Sequence, residues 1–175
     1  MAAQVHVLVG TRKGAFIYTS DESRTNWRLS EPLLSGWTVH HMVADPRCDP
    51  PRLYAAAKHA VWGPSIARSS DGGETWDQKT PGLRFPEDMN LRVDAVWNIR
   101  PGLVSQPGVV YAGTAPAGLF RSEDWGESWA SIESINRHEN RVFWQPIAGG
   151  PTEGGPPLQS IEIDPRDPDH MYVAI

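Results

Sequence analysis

Hydrophobic residues in this chain come in short runs, and each run is halted by proline or by small polar residues. Val43-Ala44-Asp45-Pro46, Asn98-Ile99-Arg100-Pro101 and Glu162-Ile163-Asp164-Pro165 are each an apolar stretch stopped by proline. A turn rich in Asp, Pro and Gly follows, then a second apolar run: Leu53-Tyr54-Ala55-Ala56, Val110-Tyr111-Ala112-Gly113-Thr114 and Met171-Tyr172-Val173-Ala174, with Leu8-Val9-Gly10-Thr11 in the same set. Proline removes a backbone donor and presets the turn, so these segments predict strand–turn–strand units. Helical periodicity over a dozen or more residues occurs nowhere, and the expected class is all-β.

A second pattern runs in step with the first. Ser69-Ser70-Asp71-Gly72-Gly73-Glu74-Thr75-Trp76 returns as Ser122-Glu123-Asp124-Trp125-Gly126-Glu127-Ser128-Trp129. Both read Ser, any, Asp, any, Gly, any, Thr or Ser, Trp. Short Ser and Asp side chains bond nearby backbone N–H groups and close a tight turn. The glycine supplies a backbone angle costly for other residues, and the tryptophan is a large apolar anchor. A degraded copy places Ser20, Glu22, Arg24, Asn26 and Trp27 at corresponding positions. Ser69, Asp71, Gly73, Thr75, Trp76 and Ser122, Asp124, Gly126, Ser128, Trp129 are therefore read as structural, and Asp71 and Asp124 are not read as a catalytic pair.

The anchoring tryptophans at 27, 76 and 129 are 49 and 53 residues apart. Four antiparallel strands repeating about every 50 residues are the signature of a β-propeller blade. The expected architecture is a single partial propeller over residues 1–175: blade 1 at about 4–30, blade 2 at about 37–80, blade 3 at about 92–133, and the start of a fourth at about 158–175. Three blades and part of another leave strand edges open, and exposed edges are sticky. The expectation is the N-terminal part of a longer ring, or a half that closes by self-association.

Composition narrows the partners. Net charge is −5, from 16 basic and 21 acidic residues without a basic cluster, so nucleic acid is not an expected partner. The single Cys48 cannot form an internal disulfide. No signal peptide and no apolar stretch of membrane-spanning length is read, so cytoplasmic residence is the expectation.

Blade topology would put the octet turns and the Asp-Pro turns on one face. Candidate chemistry then falls on the opposite face. There the first loop brings Arg12 and Lys13, and the second brings His59 and Trp62. The connectors bring Trp37 and His40, then Glu87, Asp88 and Arg92, then His138, Glu139, Arg141 and Trp144. Tryptophan can stack on the apolar face of a ring-shaped polar ligand such as a sugar, while Arg and His bond its oxygens. Glu87, Asp88 and Glu139 are the loop carboxylates available to a glycosidase mechanism, which needs two such groups about 5–10 Å apart. His40 and His41 alternate in a strand and cannot chelate one metal, and His138-Glu139 lacks a second ligand at metal spacing. No metal or cofactor is expected. Residues 152–157, in the Gly/Pro stretch from Gly149, read as a connector.

The octets resemble the Asp-box, or BNR repeat, of sialidases, xyloglucanases, sortilin-type receptors and photosystem II assembly factors. Val9-Gly10-Thr11-Arg12-Lys13-Gly14, Trp62-Gly63-Pro64, Tyr111-Ala112-Gly113, Gly118-Leu119-Phe120-Arg121-Ser122 and Asp164-Pro165 together resemble a group of bacterial Asp-box propellers of about twice this length, commonly labelled glycosyl hydrolase or exo-sialidase. The resemblance spans essentially the whole chain and implies a sialidase-like propeller. The sialidase pattern would also imply an Arg-Ile-Pro near the N-terminus; the nearest string, Asn98-Ile99-Arg100-Pro101, places its arginine differently. Two functions follow as expectations. One is a scaffold that binds a glycan or a protein on the face away from the octets. The other is part of a glycoside hydrolase acting on a glycan.

Overall fold

A computed structural model describes residues 4–144 and 155–175. It is an all-β structure of small antiparallel sheets with nearly no helix. Sheet A joins β1 (Gln4–Thr11), β2 (Gly14–Asp21) and β3 (Arg28–Leu29) in that order. Sheet B joins β4 (Thr38–Asp45), β5 (Arg52–His59) and β6 (Gly63–Ser69). Sheet C joins β7 (Ala95–Pro101), β8 (Val110–Ala115), β9 (Gly118–Ser122) and β10 (Ala130–Ser131), and sheet D joins β11 (Ser160–Asp164) and β12 (Asp167–Ala174). One helical turn, α1 (Glu133–Asn136), follows β10.

Among the described residues only sheet C has all four strands expected of each unit. In sheet B the fourth is reduced to a single bridge between Arg68 and Asp77. Their backbones exchange two 2.8 Å bonds, and Pro81, which has no N–H to donate, soon follows. Most of the stretch read as a Gly/Pro connector, 149–154, lies outside the described residues.

Side chains alternate between the two faces of a strand, and both faces of the middle sheets are covered. Ala55 and Ala57 of β5 pack with Ala15 and Val39 in the core between sheets A and B. Tyr54 and Ala56, one residue out of phase, pack with Val96, Ile99, Val110 and Phe120 between sheets B and C. A third core, built on Tyr111, Leu119, Leu158, Ile161 and Ile163, lies between sheets C and D. Each large side chain buried this way contributes about 1.5–3 kcal/mol. Glycine permits the close approach of neighbouring sheets: a Cβ on Gly10 would sit 2.6 Å from Val39 O, and one on Gly113 2.8 Å from Leu158 O. Successive first strands touch, β4 against β7 and β7 against β11.

Sheets B and C are also latched together at the octet end. Arg47, just past β4, forks onto the fully buried carboxylate of Asp45, with Nε 2.8 Å from Oδ1 and Nη2 2.6 Å from Oδ2. The outer edge of the same guanidinium donates to the carbonyls of Leu103, Gln106 and Val109 in the β7–β8 turn, at 3.2, 2.7 and 2.7 Å. Trp125, from the second octet, lies between the guanidiniums of Arg47 and Arg52, which are 5.1 and 5.0 Å from its ring centre. Its carbonyl accepts a hydrogen bond from Tyr54 Oη at 3.1 Å.

Candidate functional site

The octets build turns of one design. Ser69 Oγ donates to Asp71 Oδ1 at 2.7 Å and accepts from Gly73 N at 2.8 Å, and Asp71 accepts from Thr75 N at 3.0 Å. Ser122, Asp124, Gly126 and Ser128 repeat the pattern at 2.7, 2.7 and 2.9 Å. The Thr75 hydroxyl and backbone N–H hold the Asp71 carboxyl far below the usual range. Burial pulls Asp124 upward, but hydrogen bonds from Ser128 and Ser122 override it and leave it at about 2. Trp76 Nε1 donates to Gly73 O, and Trp27 Nε1 in the degraded copy donates to Arg24 O, both at 3.0 Å. Trp129 is buried and its Nε1 has no acceptor. Both carboxylates are engaged on two oxygens by the hydroxyls and N–H groups of their own turns, which is a structural use of them.

At the opposite end of sheet B the β5–β6 turn is a compact aromatic feature. His59 Nδ1 accepts from both Val61 N and Trp62 N, at 3.1 and 3.3 Å, which closes the turn and fixes the ring's tautomer. Trp37 tilts onto His59 with ring centres 5.0 Å apart. Trp62 is left 76% exposed on this closed turn, with Val61 beside it equally exposed.

Further toward the first strands, two β-bulges act together. The β4–β5 register slips between Val39 and His41, and the β7–β8 register slips between Val96 and Asn98. The extra residue is His40 in one strand and Trp97 in the other, each third in its strand. A bulge re-aims the side chain it carries, and the two rings meet in a stack with centres 4.7 Å apart. Beside them Lys58 Nζ pairs with Asp94 Oδ1 at 2.7 Å. Burial depresses the His40 pKa, Lys58 depresses it further and Asp94 opposes them. His40 Nε2 is buried without a hydrogen-bond partner. His41 points elsewhere and accepts from Ile99 N at 3.2 Å, tying sheet B to sheet C. Asp94 and Trp97 had no signal in the sequence, because a bulge is a property of register and register needs the partner strand.

The other candidates fall into separate places. Arg12 and Lys13 form the two-residue β1–β2 turn, whose Thr11 Oγ1 donates to Gly14 O at 2.8 Å. Arg92 is exposed on the connector before β7. Asp88 is taken up by Arg137, which donates to both of its oxygens at 2.7 Å and holds the carboxyl below the ordinary range. A carboxyl held ionised by an arginine is a poor proton donor at neutral pH. Glu87 and Glu139 are exposed, at the starts of the short turns Glu87–Met89 and Glu139–Phe143. The Arg141 guanidinium lies over Phe85 and Trp144, 5.1 and 5.4 Å from their ring centres, and burial lowers its pKa. His138 stacks near-parallel to Trp144 at 6.4 Å and accepts from Asn140 N. The structure thus joins His59 and Trp62 in one cluster and His138, Arg141 and Trp144 in another.

No family model matches the chain. Two curated sequences, both named Xyloglucanase Xgh74A and both from Acetivibrio thermocellus, are similar to it, 33% and 32% identical over 110 residues. The match covers 58% of this chain and 12% of each relative. The chain is thus distantly related, over part of its length, to a glycoside hydrolase. That likeness does not single out the sialidases.

Proposed function

We propose that the chain is a partial β-propeller that binds a glycan on the end away from the octet turns. On this reading the sheets are blades, spanning about 4–30, 37–80, 92–133 and 158–175, within one domain. The observation that carries it is Trp62, held open to solvent by a turn that His59 has already closed. An exposed indole on a backbone turn that is already closed is a platform for a sugar ring, and the turn need not be ordered on binding. Trp37, Lys58, Asp94, His40 and Trp97 extend polar and aromatic groups from that turn toward the first strands. The outer edges of β1 and β12, without strand partners among the described residues, are met by further blades or by self-association.

Xyloglucan is the first ligand to test, because the relatives carry it in their name. Affinity electrophoresis through gels containing xyloglucan or mannan should retard the wild-type chain on xyloglucan, and Trp62→Ala should weaken that about tenfold, a loss of about 1.4 kcal/mol. No retardation on any glycan would sink the reading, and an unchanged Trp62→Ala would move the site elsewhere. The likeness to a hydrolase supports a second reading, in which the chain is part of a glycoside hydrolase.

A further inference from the structure

The two octets differ at three positions, and the difference at the fourth leaves a cleft. The fourth octet residue is Trp125 in one copy and Gly72 in the other, both in the left-handed region with φ of 62° and 76°. Trp125 fills the gap between sheets B and C, against Arg52 and Tyr54. One gap earlier, between sheets A and B, the same frame carries smaller groups. Where the second octet faces Arg68 and Tyr54 of sheet B, the first faces Ile17 of sheet A, which pairs with Leu8.

Glycine geometry supports the correspondence. A Cβ on Gly126 would meet Arg68 Cδ at 3.1 Å, and a Cβ on Gly73 would meet Ile17 Cδ1 at 3.3 Å. A Cβ on Gly72 would meet nothing within 4 Å. The space where an indole sits in one gap is open in the other. It forms a cleft of about 520 Å³, walled by apolar side chains such as Leu8, Ile17, Ala44, Pro51 and Leu53, with His6, Thr19, Arg28 and Ser30 as its polar lining. His6 Nδ1 lies 3.1 Å from Thr19 Oγ1.

We propose that this cleft binds a small planar aromatic molecule of about the size of an indole. The volume lies in the range of small-molecule sites, and the walls are apolar with a few polar groups at one side, as such sites are. Planarity follows from the frame: two packed sheets bound a slab of fixed thickness, and the neighbouring slab holds a flat ring. The site is at the octet end, remote from the Trp62 turn, and stands independently of glycan binding.

The test is an amide chemical-shift titration of the ¹⁵N-labelled chain with indole, and with cyclohexanol as an apolar ring lacking flat faces. Saturable shifts confined to Leu8, Ile17, Leu53, Gly72 and their neighbours are expected, with indole at least fivefold tighter than cyclohexanol. Gly72→Trp should weaken indole at least tenfold by supplying the ring from the chain itself, and Trp125 shows that this backbone conformation accepts tryptophan. Gly72→Ala, which leaves the cleft open, should still bind. Scattered or unsaturable shifts, equal affinity for cyclohexanol, or undiminished binding by Gly72→Trp would each overturn the proposal. If Gly72→Trp does not fold, the wild-type comparison of the two probes decides.

Discussion

The tripeptide Asp-Pro-Arg occurs after β4 and again after β11, and it offers an experiment with its own control. Asp45 and Arg47 have side chains 0% and 6% exposed, whereas the Arg166 side chain is 87% exposed. The fork is nearly the same in both: the arginine Nε lies 2.8 and 3.0 Å from Oδ1, and Nη2 lies 2.6 and 2.8 Å from Oδ2. What differs is the far side, where Arg47 alone donates to three carbonyls of the next sheet. Arg47→Ala leaves the Asp45 carboxylate buried and unpaired, a change that costs about 3–5 kcal/mol. The three carbonyls each lose one donor but keep a backbone N–H of their own turn, so the stranded carboxylate dominates the loss. Against a total stability of about 5–15 kcal/mol, that removes a fifth or more of it. Arg166 is solvent-exposed and, among the described residues, bonds no neighbouring sheet, so Arg166→Ala should move the unfolding midpoint far less than Arg47→Ala, although Asp164 is itself 10% exposed. Asp45→Ala combined with Arg47→Ala should be less destabilised than Arg47→Ala alone, because the stranded charge is gone. Equilibrium urea unfolding followed by tryptophan fluorescence reads the wild type and the three variants. Similar losses for Arg47→Ala and Arg166→Ala, or a double variant as destabilised as Arg47→Ala alone, would refute the reasoning.

Acidification should destabilise the fold just below neutrality. Burial depresses His40 and His41 below their ordinary 6.5, so the unfolded chain takes up protons first as pH falls. Stability present above pH 6.5 is then lost toward pH 5.5, while most carboxylates remain ionised. Thermal midpoints at pH 7.5, 6.5 and 5.5 check this, and a midpoint that rises on acidification contradicts it. Gly82→Ala should cost more than about 2 kcal/mol, because its Cβ would lie 2.1 Å from Trp129 O at a φ of 81°. Gly36→Ala, at a φ of 86° with nothing within 4 Å, carries only the backbone strain of about 1 kcal/mol. Urea midpoints in the reverse order would show that contact with Trp129 is not what constrains Gly82.

The local chemistry of this chain is openly written, and its long-range geometry is not. Proline-stopped runs and Tyr-centred runs became β4 and β5, β7 and β8, and β11 and β12, because turn chemistry and alternation act over a few residues. The octet hydrogen bonds were legible for the same reason: Ser69, Asp71 and Thr75 are neighbours in sequence. The His40–Trp97 stack was not, since it needs two register slips in strands 57 residues apart to coincide. Asp88 looked available because its partner Arg137 lies 49 residues away. Trp125 occupies an octet position that the pattern leaves free, so its role between Arg47 and Arg52 was invisible until sheets B and C were placed side by side. Trp62 and His59, three residues apart on one turn, were both nominated, although the closing of the turn by the imidazole was not.

The Arg47 latch holds the β7–β8 turn by backbone oxygens alone: none of its three hydrogen bonds across to sheet C touches a side chain. Such a clasp is blind to what the clasped turn spells. The β7–β8 turn can therefore drift through almost any sequence that keeps its path, gaining or losing a function of its own, without loosening the joint. Repeats joined in this way are free to become unlike one another while remaining mechanically coupled, which is how one duplicated unit could come to carry tryptophan at an octet and the next a glycine with space beside it.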